Sequence, residues 1–174
     1  MRLKRIFVFL IVFSLAATLG LYAQKQKKVD PVNWRKLTPF LIEIEGWKSE
    51  GDAEGSTVSM GEFKMSQAER SYSAGDKSLE IEIVDGAYVP MFYASFTTLA
   101  AFEVDTSEEY IKKVTIKGFP AVEKYEYDDK DAEIMIVVAD RFLVHLQGED
   151  FEDAAELKNI AKLLHLKKLA AMAK

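Results

Sequence analysis

The chain has 174 residues, of which 49% are hydrophobic and 29% charged, with a net charge of -5 and no cysteine. This length and balance are typical of one globular domain. A sequence without cysteine excludes disulfides, thiolate metal sites, thiol nucleophiles and an acylated cysteine anchor. Its 2 histidines leave little for a histidine-built metal site.

The N-terminus has the pattern of an export signal. Three basic residues precede an apolar run from Ile6 to Leu21, and polar residues begin at Gln24. This pattern predicts a signal peptide over residues 1–23 and a flexible leader over residues 24–33. The apolar run is just long enough to span a bilayer, so an uncleaved membrane anchor is the alternative. We therefore expect an exported protein that is periplasmic or secreted. Any contact with a membrane is expected only through this segment, if it stays uncleaved.

Charge argues against nucleic acid as a partner. Removal of residues 1–23 leaves 20 Lys and Arg against 28 Asp and Glu, a balance of -8. An acidic domain repels phosphate backbones, and the sequence has no basic stripe interleaved with aromatic residues. Nucleic acid is therefore not an expected partner.

Residues 34–174 are predicted to form a single domain that opens with a helical turn and a hairpin. The turn covers residues 34–42 and is interrupted at Pro39, and residues 48–61, rich in Gly, Ser and acid, are predicted to be loop. A two-residue turn at Gly75-Asp76 predicts a hairpin. On a packed face, the expected pairs are Tyr72 with Leu79, Arg70 with Ile81 and Ala68 with Ile83. On the opposite, solvent-exposed face, the expected pairs are Glu69 with Glu82 and Ser71 with Glu80. Arg70 on the packed face has to find a carboxylate or reach the rim.

Four further strands are predicted in the C-terminal half. They cover residues 110–117, 121–128, 132–139 and 141–147, and Asp129-Lys130 is predicted to be a two-residue turn. Tyr125 and Tyr127 then share a face with Ile134, Ile136 and Val138; Val122, Met135 and Val137 lie on the other face, with Phe142, Val144 and Leu146 beside them. Apolar residues on both faces predict a sheet that is covered on both sides.

Two helices are predicted to provide that cover. The first runs from Met91 to about Phe102 after Pro90. The second begins near Asp150 as N-cap and buries a stripe at helical spacing; the stripe consists of Leu157, Ile160, Ala161 and Leu164. His165 is predicted to interact with the C-terminal end of this second helix.

The candidate functional segment is residues 86–102, which contain no charge. A helix that is apolar all round is normally buried in a core or a homodimer seam. The alternative is an exposed patch that binds a hydrophobic ligand, a protein partner or the membrane surface. The candidate binding residues are Tyr88, Met91, Phe92, Tyr93 and Phe96.

Little in the sequence indicates catalysis. Strand alternation predicts that His145 shares a face with Tyr125, and His145 with Tyr125 or with an acid is capable of acid–base chemistry in a small hydrolase or isomerase. A structural histidine is the competing interpretation, because no nucleophile motif accompanies the pair. The acidic turn at residues 128–131 lacks the glycine and spacing of a calcium loop, and no phosphate-binding glycine motif is present. We therefore expect no metal and no cofactor.

The order of elements resembles the PsbP-like α/β/α sandwich, which also occurs in uncharacterised exported bacterial proteins. The resemblance rests on the segments at residues 44–47, 67–84, 118–121 and 140–144. It implies an α+β fold with a mostly antiparallel sheet of about six strands covered by helices, and a binding role more than an enzymatic one. We expect a non-catalytic envelope domain that binds a protein or an apolar small molecule around residues 88–102. A structural subunit that self-associates through the same helix is a further alternative.

Overall fold

The fold is built on one open antiparallel sheet of nine strands, seen in a computed structural model that describes residues 29–61, 63–86 and 96–173. The strands are β1 (Lys48–Ser49), β2 (Glu54–Met60), β3 (Phe63–Ala74), β4 (Lys77–Asp85), β5 (Val104–Asp105), β6 (Glu109–Ile116), β7 (Phe119–Glu126), β8 (Asp131–Val138) and β9 (Phe142–Glu149). The spatial order is β1-β3-β4-β9-β8-β7-β6-β5, and β2 also pairs with β3, beside β1. The predicted α+β class with a mostly antiparallel sheet is confirmed.

The sheet has more strands than the six predicted. β1 and β2 lie within residues 48–61, which were predicted to be loop, and β5 has two residues. Most of β2 is exposed, with Ser and Thr on both faces. It therefore lacks the alternation of apolar and polar residues by which a half-buried strand is identified.

The predicted hairpin is confirmed in its register. β3 and β4 pair with Tyr72 opposite Leu79 and Arg70 opposite Ile81, as the Gly75-Asp76 turn requires. The φ of Gly75 is 63°, a conformation that glycine adopts at little cost. Arg70 finds its carboxylate, since its Nη1 lies 2.6 Å from Glu43 Oε1.

The C-terminal strands also form, but one predicted face is wrong. Residues 127–130 form a four-residue connection between β7 and β8, and the predicted faces of these two strands are kept. The connection from β8 to β9 takes three residues, 139–141. Val144 therefore lies opposite Ile136, on the face of Ile134 and Ile136 and not beside Met135 and Val137. Phe142 and Leu146 follow Val144 to this face.

The hydrophobic core lies on the face of the sheet that contains Ile134, Ile136 and Val144, which we call the core face. Side chains from β3, β4, β8 and β9 are buried there, among them Tyr72, Ile81, Ile134, Phe142 and Leu146. The segment before β1 covers the β3 side, as two 3-10 turns, Trp34–Lys36 and Thr38–Phe40, with Pro39 in the first turn of the second. Its Leu37 and Leu41 join the core, and Tyr72 donates a hydrogen bond from its hydroxyl to the Ile42 carbonyl at 2.9 Å.

Helices α1 (Ala154–Leu163) and α2 (Leu166–Ala171) end the chain. The predicted stripe of α1 is buried under the sheet, but its N-cap is Asp153, not Asp150. His165 directly follows Leu164, the C-cap of α1, as predicted, and is also the N-cap of α2. Among the described residues, no helix has the length and apolar character needed to cross a membrane.

A buried ion pair fixes the ends of the described chain to the sheet. Arg141 Nη2 lies 2.8 Å from Asp85 Oδ2, and both side chains are almost fully buried. Asp85 also accepts a hydrogen bond from the Val32 backbone N–H, and Arg141 donates to the Asp30 carbonyl. The contacts at residues 30 and 32 fall within the predicted leader.

Candidate functional site

The second face of the sheet is the one opposite the core face. One half of it carries charged side chains and the other half apolar side chains. One row across the strands runs Glu54, Glu69, Glu82, His145, Met135 and Val122, each directly opposite the next. The neighbouring row contains Glu80, Gln147, Glu133 and Lys124. Like charges placed directly opposite each other are destabilising, so the three glutamates of the first row lower the stability of the sheet.

His145 is the centre of the charged half. Its Nε2 lies 2.7 Å from Glu133 Oε1, and the two side chains are 21% and 23% exposed. Glu82 lies directly across on β4. Since solvent reaches the pair, His145 is not the sealed core histidine that would exclude a functional role.

The local charges set the protonation of this pair. Burial disfavours the imidazolium, but the hydrogen bond and charge of Glu133, with Glu82 and Glu80, outweigh burial and raise the pKa of His145. Burial likewise opposes ionisation of Glu133, but the hydrogen bond and charge of His145, with Lys124, lower the pKa of that carboxyl. His145 and Glu133 therefore favour the charged state together.

Glu82 and Glu69 shift in the other direction. Burial raises the pKa of Glu82; His145 opposes this shift, while Glu69 and Glu80 add to it. The pKa of Glu69 is raised by burial and by repulsion from Glu80 and Glu54. This part of the second face therefore has more negative charge than the neighbouring cations neutralise.

The arrangement has the parts for proton transfer. A histidine held by a carboxylate is oriented for acid–base work. The residues directly opposite His145 are Glu82 and Met135, and neither is a hydroxyl, thiol or amine nucleophile. Among the described residues, no group of three or more histidines and carboxylates is arranged to hold a metal ion.

The predicted partnership of His145 with Tyr125 is wrong. Tyr125 lies opposite Ala132 on the core face, where its hydroxyl donates to the carbonyls of Phe151 and Glu152. His145 lies on the second face because the register of β9 on β8, with Val138 opposite Phe142, places it opposite Met135. The sequence singled out His145, but the placement of Glu82 and Glu133 beside it depends on the register of three strands.

Most of the predicted binding residues fall outside the described part of the chain. These are Tyr88, Met91, Phe92 and Tyr93. Phe96, the fifth, is half-buried and begins a helical turn over residues 96–99, closed by a hydrogen bond from the Ala100 N–H to the Phe96 carbonyl. Phe102, after this turn, is 59% exposed.

No protein-family model, no curated protein and no solved structure matches this chain.

Proposed function

We propose that this chain is an exported, non-catalytic domain of the cell envelope that binds a protein or an apolar small molecule through the surface around residues 88–102. The exposure of Phe102 is the observation that carries the proposal. An aromatic ring 59% exposed adds little to the protomer's own core. Phe102 is the last residue of a stretch of 17 residues, 86–102, that carries no charge to keep it hydrated. Burial against another molecule removes that ring from water.

The half-buried state of Phe96 supports the same proposal. Phe96 and Phe102 both belong to the charge-free stretch, and neither is fully buried in the protomer. Exposed apolar side chains that lie near one another mark interaction sites on soluble proteins more often than isolated ones do. The PsbP-like resemblance is part of the proposal, supported by the antiparallel sheet with a terminal helix packed on it.

The test is site-specific photo-crosslinking in intact cells that produce the protein. A benzoyl-phenylalanine replaces Phe102, and in a matched control it replaces Leu163, which is 51% exposed on α1. We expect a discrete crosslinked adduct from position 102 and none of the same mass from position 163. Identical adducts from both positions, or none from either, would contradict the proposed surface.

A companion measurement separates binding from folding. Phe102→Ser removes an exposed ring, so we expect the free energy of unfolding to change by less than about 0.5 kcal/mol. The adduct from a crosslinker at a neighbouring exposed position, such as Thr98, is expected to weaken in this variant. Phe96→Ser serves as the comparison, because a half-buried ring contributes to stability as well.

Export is tested separately by the mass of the protein recovered from the envelope fraction. We expect the mass of a chain that has lost the first two dozen residues, as the signal pattern predicts. A chain of full mass in the membrane fraction would instead support the uncleaved anchor, and one of full mass in the cytosol would contradict export.

An acid–base enzyme is the second candidate, and the 2.7 Å contact between His145 and Glu133 favours it. Hydrolysis of p-nitrophenyl acetate by the purified domain is a suitable probe. This candidate requires that His145→Gln abolishes the activity while His165→Gln, at an exposed position, preserves it. Equal rates in both variants would exclude His145 as an acid–base residue for this probe.

A further inference from the structure

Within the described ranges, the outer edge of β2 is an unpaired row of backbone groups. All seven residues of β2 pair with β3 on one side. On the other side, no residue in the described ranges makes a backbone hydrogen bond with β2. Alternate residues of such an edge present N–H and C=O groups to solvent, a template for another strand. Five of the seven residues are exposed. The first 3-10 turn contacts β2 from the core face, where the Trp34 N–H donates to Thr57 Oγ1 at 3.1 Å, and it makes no backbone hydrogen bond to the outer edge.

The opposite edge of the sheet carries protective features that the described part of the chain does not give to β2. β5 has two residues, and the part of β6 that extends past it presents the exposed Lys112 and Lys113. Short edge strands and lysines are devices by which proteins prevent sheets from joining at their edges. β2 has the sequence Glu-Gly-Ser-Thr-Val-Ser-Met, with one charge at its first residue and no lysine or proline.

Apolar side chains extend this edge onto the second face. Met60 is 60% exposed. Val58, two residues earlier on the same face, is half-buried and lies directly opposite Met65 of β3. Another strand placed at this edge would cover the apolar group formed by Val58, Met60 and Met65 as well as the backbone.

We propose that β2 pairs antiparallel with β2 of a second copy of this chain, joining two sheets across a two-fold axis. Centred on Thr57, this pairing uses all seven residues and places Glu54 opposite Met60 of the second copy. The two glutamates then lie at opposite ends of the pair, so no like charges face each other. Val58 meets Ser56 of the second copy and lies diagonal to its Val58, within side-chain reach.

The second copy is favoured over a foreign strand because the edge is complementary to itself. A two-fold interface needs one patch that matches its own copy, and a strand whose single charge is terminal satisfies this condition. The inference goes beyond the proposed function and does not depend on it. It also differs from self-association through residues 88–102, because a different edge of the sheet is used.

Molecular mass in solution over a range of concentrations tests the inference. We expect the intact protein without its signal segment to reach the mass of a dimer. Ser56→Lys places a lysine at the edge opposite Val58 of the second copy and is expected to raise the dimer dissociation constant about tenfold or more, because each dimer carries the change twice. Thr115→Lys, at an exposed position of β6, is the matched control and is expected to leave the dimer dissociation constant unchanged.

A cysteine on the proposed axis gives an independent readout. The chain has no cysteine, so Thr57→Cys places a single thiol in each copy, next to the axis. Oxidation of this variant is expected to give a covalent dimer. The control variant Thr115→Cys is expected to stay monomeric under denaturing conditions. A mass that stays monomeric at the highest soluble concentration would overturn the inference. So would a dimer that Ser56→Lys and Thr115→Lys weaken equally, or one that Thr57→Cys fails to crosslink.

Discussion

At the scale of single residues, the His145–Glu133 pair makes stability depend on pH. The pKa of His145 is raised in the folded protein, so its contribution is complete below the unfolded value near 6.5 and is lost as pH rises through the folded value. The pKa of Glu133 is lowered, so its contribution is present above about 4.5 and is lost as pH falls through the folded value. The pair is therefore most stabilising between about pH 4.5 and 6.5.

We expect His145→Gln to lower the free energy of unfolding by about 1–2 kcal/mol within that range, since a hydrogen bond between charged groups is lost. The difference from the unsubstituted protein should shrink as pH rises above 6.5 and again as it falls well below 4.5. Urea unfolding at several pH values measures it.

His165→Gln is the control for this experiment. His165 is exposed and makes no side-chain capping hydrogen bond, so we expect its replacement to change the free energy of unfolding by less than about 0.5 kcal/mol. A His145→Gln effect that stayed constant from pH 5 to 9 would show that the pair does not ionise as described.

Single residues also explain why the face of His145 was predicted wrongly. The turn that sets the register of β9 has Ala139 and Asp140 in left-handed conformations, with φ of 54° and 52°. Glycine is the usual residue at such positions, and here neither residue is glycine. The hairpin at Gly75 was predicted correctly because its turn does carry the expected glycine. The strand break at residue 140 was predicted, but without a glycine the sequence does not mark which residues this turn uses, so the register of β9 stayed open.

At the scale of elements, buried periodicity was easier to predict than exposed structure. The stripe on α1 and the inward faces of β3, β4, β7 and β8 were predicted because apolar residues recur at the period of each element. β2 was missed because tertiary pairing, and not its own pattern, makes it a strand. The edge proposed for self-pairing is thus the element least visible in the sequence.

The N-cap of α1 gives a prediction at this scale. Asp153 accepts hydrogen bonds from the backbone N–H of Ala155 at 2.8 Å and of Glu156 at 3.3 Å. We expect Asp153→Ala to lower the free energy of unfolding by about 0.5–2 kcal/mol, the usual loss for a cap.

Thermal and urea unfolding measure this loss, with Asp129→Ala as the control. Asp129 lies exposed in the turn before β8, so its replacement should change stability by less than about 0.5 kcal/mol. Equal effects of the two substitutions would mean that the cap adds nothing specific to α1.

At the scale of the whole molecule, the buried pair of Asp85 and Arg141 connects the sheet to both ends of the described chain. Arg141 Nη2 donates to the Asp30 carbonyl at 3.1 Å, and its Nη1 lies 3.5 Å from the Met172 carbonyl. The Val32 N–H donates to Asp85 Oδ2 at 2.8 Å. A buried charge that loses such partners keeps its desolvation cost without compensation.

This arrangement predicts that a few residues before the first 3-10 turn matter for stability. A chain that begins at residue 34 lacks the partners supplied by Asp30 and Val32, whereas one that begins at residue 29 keeps them. We expect the shorter chain to unfold at a free energy lower by about 1–3 kcal/mol, the cost of leaving buried polar groups without hydrogen bonds. Asp30→Ala in the longer chain is the control, because it removes the exposed ion pair with Lys64 but keeps the backbone carbonyl that Arg141 uses. Since exposed ion pairs contribute little, the Asp30→Ala variant should have the same free energy of unfolding as the longer chain. Equal stability of the chains that begin at residues 29 and 34 would show that the buried pair does not need the N-terminal contacts.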